Sequence, residues 1–244
     1  DAMLPLMTLL VPLYREADVV DELVESLRAL DYPATRLDIK LLIEADDDAT
    51  LAAALGASLP PNCEIIPVPP GQPRTKPKAL MYGLALSQGE IVAVFDAEDR
   101  PAPGQPRAAV MAFRRGPRNL AAVQAPLAIH NAGEGWFAAQ FALEYALHFG
   151  VSLPLLARLR LPFLLGGTSN YFRRACLERV GGWDAWNVTE DADIGLRLAR
   201  FGYGTAMIAP PTLEEAPVSL RVWLNQRTRW MKGHLQTWLV LNRR

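Results

Sequence analysis

The chain has 244 residues, half of them apolar and 21% charged, which fits a globular core and excludes a disordered or fibrous polypeptide. Its 25 basic and 26 acidic residues leave a net charge of −1, which argues against a dedicated nucleic-acid binder. Two cysteines, Cys63 and Cys176, cannot make a disulfide framework, and the three histidines lack zinc-type spacing.

Met7–Val11 is an apolar run closed by Pro12 and reads as a buried strand. Val19, Val20, Leu23, Leu27 and Leu30 recur at three- and four-residue steps, so a helix follows and ends before Tyr32-Pro33. Ile39–Ile43 is a second strand, Thr50–Leu55 opens an alanine-rich helix, and Glu64–Val68 is a third strand. After a proline-rich loop, Lys78–Leu86 runs helical, and a fourth, wholly apolar strand, Ile91–Phe95, stops at Asp96. This order predicts an α/β fold with a mostly parallel central sheet and helices on both faces. Ligands of such sheets sit beyond the carboxyl ends of the strands, here Pro12–Arg15, Glu44–Asp48 and Asp96–Asp99.

The second half is less regular. Ala121–Gln124 reads as a strand, Phe137–Phe149 as a helix and Leu164–Phe172 as a glycine-broken strand. Val151–Leu165 is apolar, but Arg158, Arg160 and two prolines leave it short of the ~20 residues a spanning helix needs. A helix over Ala192–Arg200 ends at the Gly202 turn, and another runs from Pro217 to about Val240. No repeat or linker divides the chain, so residues 1–244 read as one domain with an extended C-terminal helix. The chain opens at Asp1 with neither an initiator Met nor a signal peptide, and is expected to be a piece of a longer protein.

Charge is unevenly spread. Between Tyr14 and Thr50 eleven acids face four bases, whereas Arg221–Arg244 holds six bases and no acid. That asymmetry suits a cation-holding end and a phosphate- or membrane-facing end, or two solvated helix faces.

Asp96-Ala97-Glu98-Asp99 sets three carboxylates after a buried strand, a donor set for a hard cation such as Mg²⁺ or Mn²⁺, or an acidic cap for the helix after Pro101. Glu44 and Asp46 reach toward the crevice from another strand end, while Asp47 and Asp48 read better as helix caps. Thr189-Glu190-Asp191, taken alone, is an ordinary helix N-terminus. Gln226, Arg229 and Trp230 share one helix face with Trp223, an arrangement that either grips a phosphate beside a stacked ring or packs a core.

Taken in order, these motifs resemble the family 2 glycosyltransferases of GT-A fold, most of all the processive, membrane-bound branch that includes the cellulose synthases. The likeness runs from Leu10–Glu16 to Gln226–Trp230 and takes in Thr75–Leu80 and Gly166–Asn170. Glu44 stands where the family usually carries Asp, Glu98 fills the second acid of Asp-x-Asp, and Met81 stands where Asn is common.

The resemblance implies inverting transfer of a sugar from a nucleotide-diphosphate sugar, expected to be a UDP-sugar, to a glycan or lipid hydroxyl, with no nucleic-acid partner. Glu44, Asp46 and Lys78 are then expected at the nucleoside, and Asp96 at the donor ribose. Asp96, Glu98 and Asp99 would hold Mg²⁺ or Mn²⁺ on the diphosphate. Asp191, with Glu190 beside it, would be the general base. Arg229 would grip the diphosphate, Gln226 would close the site, and Trp230, Gly167 and Thr168 would meet the acceptor. Residues 1–100 become the donor half, 101–216 the acceptor half and 217–244 an amphipathic interface helix. The chain is then the cytosolic part of a multi-pass enzyme on the inner face of the plasma membrane.

Two other classes remain open: a non-catalytic nucleotide-sugar or glycan-binding module, and a metal-dependent phosphohydrolase or nucleotidyltransferase. The first sits badly with an intact Asp191 and Arg229-Trp230. The second lacks a separate nucleophile and leaves Gln226–Trp230 without a role.

Overall fold

In the computed structural model, which describes residues 4–243, the four predicted N-terminal strands lie side by side. β1 (Met7–Leu13), β2 (Leu37–Glu44), β3 (Cys63–Val68) and β4 (Ile91–Val94) pair in parallel and are linked by α1 (Val20–Arg28), α2 (Asp48–Gly56) and α3 (Lys76–Leu86). The chain continues through β5 (Arg100–Pro101), α4 (Gln105–Arg115), β6 (Leu120–Gln124), β7 (Leu127–Ile129), α5 (Trp136–Leu147) and α6 (Leu153–Arg158). It ends with β8 (Asn170–Arg173), α7 (Arg174–Arg179), α8 (Glu190–Arg200), β9 (Gly204–Met207), β10 (Thr212–Glu214) and α9 (Leu220–Leu241). The main sheet has the order β3-β2-β1-β4-β8-β6-β9, in which β8 alone runs antiparallel, and a small sheet has the order β5-β10-β7.

Alternation along β1 divides the core between the two faces of the sheet. Leu9 and Val11 belong to one buried cluster with Leu23 and Leu27 of α1 and Phe113 of α4, while Leu10 belongs to a second with Leu80 and Leu84 of α3 and Ile194 and Leu198 of α8. Each such side chain, fully buried, is worth about 1.5–3 kcal/mol against exposure, so both helical layers are fixed to the sheet that carries the loops.

Several boundaries differ from the sequence reading, each for a local reason. α3 begins at Lys76 rather than Lys78, because Pro77 falls in the first turn, where its missing N–H has no partner to lose. The expected strand over Leu164–Phe172 forms only from Asn170. Before it, Ser169 takes a left-handed backbone (φ 55°), and the buried Gln124 side chain bonds Gly166 N and Thr168 O. The helix expected over Phe137–Phe149 runs on through a π-helical turn, His148–Ser152, into α6. Pro154 gives the cause: its ring would clash with the carbonyl four residues back, and a wider turn relieves this. α9 starts at Leu220, three residues beyond Pro217, where Ser219 caps it by accepting from Val222 N at 3.4 Å. Among the described residues no helix is long and apolar enough to cross a membrane.

Candidate active site

The carboxyl ends of β1, β2 and β4 open into a cavity of about 220 Å³, lined among others by Tyr14, Glu16, Glu44, Arg74, Lys76 and Asp96. β1 lies between β2 and β4, where connections depart in opposite directions, and this is where α/β sheets hold ligands. A second cavity of about 540 Å³ lies across Lys76, Asp96 and Glu98, which line both.

Of the predicted nucleoside residues, Glu44 lines the smaller cavity while Asp46 and Lys78 stand behind its lining, and both carboxylates are paired with cations. Glu44 is buried and receives Lys78 Nζ at 2.9 and 3.0 Å, while exposed Asp46 is paired with Arg74. Asp47 is a cap, as its position suggested: its carboxylate accepts from Thr50 N at 3.3 Å and from Arg15 N at 2.5 Å. Arg15 itself is left-handed (φ 59°), which turns the chain sharply after β1. Burial, with the Asp96 and Glu98 charges, raises Glu16 to about 7 against the opposing Tyr14 N–H.

At the junction of the cavities, Asp96 is anchored by its own N–H, which donates to Thr168 Oγ1 at 3.0 Å. Thr168 is fully buried, so it stands behind the Asp96 carboxylate rather than open to an acceptor. Lys76 Nζ bonds Asp96 Oδ1 and the Gly167 carbonyl (2.5 Å) and lies 3.8 Å from Glu190 Oε1. The three groups converge over Gly167: a Cβ there would touch Asp191 Oδ2 at 3.5 Å and both Asp96 Oδ2 and Lys76 Nζ at 3.8 Å, ordinary contact distances. Glu98 is exposed beside them, and Asp99 is buried with Oδ2 lacking any hydrogen-bond partner. Burial, then the Asp96 and Glu214 charges, holds Asp99 well above the usual carboxylate range. Among the described residues no three acidic, His or Cys side chains form a ready-made metal cluster.

The Thr189-Glu190-Asp191 turn is not closed by the cap expected of it. Thr189 makes no side-chain capping bond; its hydroxyl turns to Asn187 Oδ1 at 3.3 Å. α9 secures the turn instead, with Asn187 Nδ2 on Thr237 Oγ1 at 2.8 Å and Gly233 packed against Thr189. Burial raises the Asp191 carboxyl above its usual range, and burial with the Asp191 charge raises Glu190 to about 7 against the opposing Lys76 ammonium.

Across the larger cavity, the Gln226 and Trp230 side chains face in from α9, and Arg229 is exposed at its rim. Gln226 Oε1 is buried without a partner. Between these lies Arg227, whose guanidinium sits 4.8 Å from the Trp230 ring centroid, 5.0 Å from Phe141 and 5.4 Å from Trp223, and forks onto Glu144 at 2.6 and 2.6 Å. Glu214, bonded to Tyr145, is raised to about 8 by burial and the Asp96 charge.

The sequence reading passed over Lys76, Glu16, Glu214 and Arg227. Only Lys76 carried a usable signal, since a proline one position later marks a helix start and so places Lys76 at a strand-to-helix junction.

Comparison with known proteins agrees with this architecture. Residues 5–233 match the family described as glycosyltransferase like family 2, and the chain belongs to that family. It is similar to the probable glycosyltransferase YdaM of Bacillus subtilis strain 168, 26% identical over 95% of this chain and 56% of that protein. It is also similar to the beta-monoglucosyldiacylglycerol synthase of Trichormus variabilis, 28% identical over 97% of this chain and 50% of the relative. The chain thus spans about half the length of the curated relatives it matches. Among solved structures it resembles the mannosyltransferase PcManGT from Pyrobaculum calidifontis in complex with GDP-Man and Mn²⁺, with TM-score 0.76 and 22% identity over 99% of this chain and 65% of that one. The fold is therefore GT-A.

Proposed function

We propose that the chain transfers a sugar, with inversion, from a nucleotide-diphosphate sugar to a hydroxyl of a glycan or lipid. The observation that carries this reading is the meeting of Asp96, Asp191 and Lys76 over Gly167, where a cavity for a nucleoside joins a cavity for an acceptor. Glu44 and Arg74, held from behind by Lys78 and Asp46, offer polar edges to a base and ribose in the smaller cavity.

Asp191 takes the proton of the acceptor hydroxyl as that oxygen bonds to the anomeric carbon. The bond from that carbon to the diphosphate breaks at the same time, and the nucleoside diphosphate leaves with the electron pair. A single displacement needs no covalent nucleophile. The raised proton affinity of Asp191 brings it nearer the working pH of a base. Trp230, backed by Phe141 and Arg227, gives the acceptor sugar a flat apolar floor, while Gln226 Oε1 offers it an unused acceptor.

The carboxylates suit Mg²⁺ or Mn²⁺, which take hard oxygen ligands and usually share one or two carboxylates with substrate phosphates, so a three-ligand cage is not required. The unpartnered, buried Asp99 Oδ2 beside Asp96 fits that donor set, with Glu98 at the rim. Such an ion, when bound, stabilises the charge on the departing diphosphate. The Mn²⁺ and GDP-Man of the Pyrobaculum structure support this reading, and the diacylglycerol in the Trichormus relative's name supports a lipid among the acceptors. We also assign residues 1–100 to the donor and 101–216 to the acceptor. The exposed apolar and basic faces near residues 217–244 would rest on the cytosolic face of a membrane.

The test is nucleoside diphosphate release from UDP- and GDP-sugars with Mn²⁺ or Mg²⁺, comparing the chain with Asp191→Asn. Release with one donor should fall by about 10²–10⁴-fold in the variant, the usual worth of a general base, with donor binding retained. Equal release from both proteins would remove Asp191 from the mechanism. Donor binding without any release would favour the binding-module alternative.

A further inference from the structure

The junction of the two cavities contains a cation of its own. Lys76 projects from the first residue of α3 onto Asp96 Oδ1, the Gly167 carbonyl at 2.5 Å and Glu190 Oε1 at 3.8 Å. It therefore joins the acid after β4 to the acids that open α8, and no other Lys or Arg reaches both sets among the described residues' ion pairs. Coulomb attraction to Asp96, Glu190 and Asp191 outweighs the cost of burying the ammonium and holds it charged.

We propose that Lys76 is an internal counter-ion that competes with a divalent cation for Asp96 and so makes tight metal binding conditional on a diphosphate. Two cations on one carboxylate at hydrogen-bond range repel each other strongly in a partly buried site. A diphosphate brings enough negative charge to satisfy both. The ammonium then turns to phosphate oxygens, and the Asp96 carboxylate is freed for the ion. The exposed side of Asp96 permits this exchange, since about a third of its side chain remains open. Metal and nucleotide are thereby coupled, and by thermodynamic reciprocity each strengthens the other to the same degree. The proposal rests on reading Asp96 as a metal carboxylate.

The experiment is a titration of Mn²⁺ alone, followed by calorimetry or electron paramagnetic resonance, into the chain and into Lys76→Met, Lys76→Arg and Asp96→Asn. It is then repeated with saturating UDP or GDP. Lys76→Met should bind Mn²⁺ alone at least tenfold more tightly than the unaltered chain, and Lys76→Arg, which keeps the charge, should not. Nucleotide should strengthen Mn²⁺ binding at least tenfold in the unaltered chain, and by much less in Lys76→Met. Equal or weaker Mn²⁺ binding by Lys76→Met overturns the proposal. So does an absence of nucleotide enhancement in the unaltered chain, a result that needs no variant to fold. Should Asp96→Asn leave Mn²⁺ binding intact, the underlying assignment of Asp96 fails. Should it abolish binding while Lys76→Met changes nothing, the counter-ion role alone falls.

Discussion

Gly233 has no room for even a methyl group: a Cβ there would lie 2.3 Å from Thr189 Oγ1, with other Thr189 atoms at 2.6 and 2.8 Å. Thr189 is two residues before Asp191, so the closeness of α9 sets where that carboxylate stands. Gly233→Ala must push the helix or the turn aside. Because displacements near 1 Å can cost about 10²-fold in rate, nucleoside diphosphate release should drop at least tenfold. Gly150→Ala provides the control, since a Cβ at Gly150 meets nothing within 4 Å and release should be unchanged. Equal rates for the two variants would show that the contact with Thr189 does not position Asp191. Nothing in the sequence marks Gly233, because a glycine within a helical pattern carries no trace of what packs on it. Asp96 was legible because carboxylates at a strand end are chemically conspicuous, whereas Glu190 and Asp191 read alone as an ordinary helix start and stood out only through the family resemblance. Lys76 was not legible, because its partners lie 20 and 114 positions away and only the fold brings them together.

Among the elements, the continuous helix formed by α5, the π turn and α6 carries Leu143, Leu147, Val151, Leu155 and Leu159 at four-residue steps, all between 54% and 65% exposed. The inner face of the same helix sends Phe141, Tyr145 and Phe149 to the larger cavity. α9, joined to α5 through Arg227 and Glu144, exposes Met231, Leu235, Trp238 and Leu239 beside Arg229 and Lys232. Sequence reading placed the amphipathic surface on the last helix alone. The α5–α6 stripe escaped it because Pro154 and the scattered arginines masked the periodicity across the π turn. If these faces rest on a bilayer, the chain floats with vesicles containing anionic lipid, and Leu147→Glu with Leu155→Glu shifts it toward the bottom of the gradient. Retention of the unaltered chain wholly at the bottom would count against membrane contact.

For the molecule as a whole, the acids of the site set an unusual pH dependence. Glu16 and Glu190 are raised to about 7 and Glu214 to about 8 from 4.5, so the folded chain binds these protons more tightly than the unfolded one. Below pH 4.5 both states are protonated and these acids contribute no difference. As pH rises from there, the unfolded state ionises first, and stability falls until about pH 8. Asp47 acts in the other direction, but its lowered range confines that gain to more acidic solution. The Tm of the chain without nucleotide or metal should therefore be lower at pH 8 than at pH 5, and a higher Tm at pH 8 would contradict the assignment of these buried acids. The layered α/β order of the first hundred residues was plain in the alternation of apolar runs. The position of β8 was not, since its pairing is decided far along the chain. Ile91 in β4 waits for Arg173 in β8, and until that strand is made, one side of β4 offers bare backbone groups on an entirely apolar strand. The first hundred residues are thus no detachable cassette. Released early from the ribosome, or grafted onto a foreign partner, they would seek any extended segment to complete their edge, their own copies included.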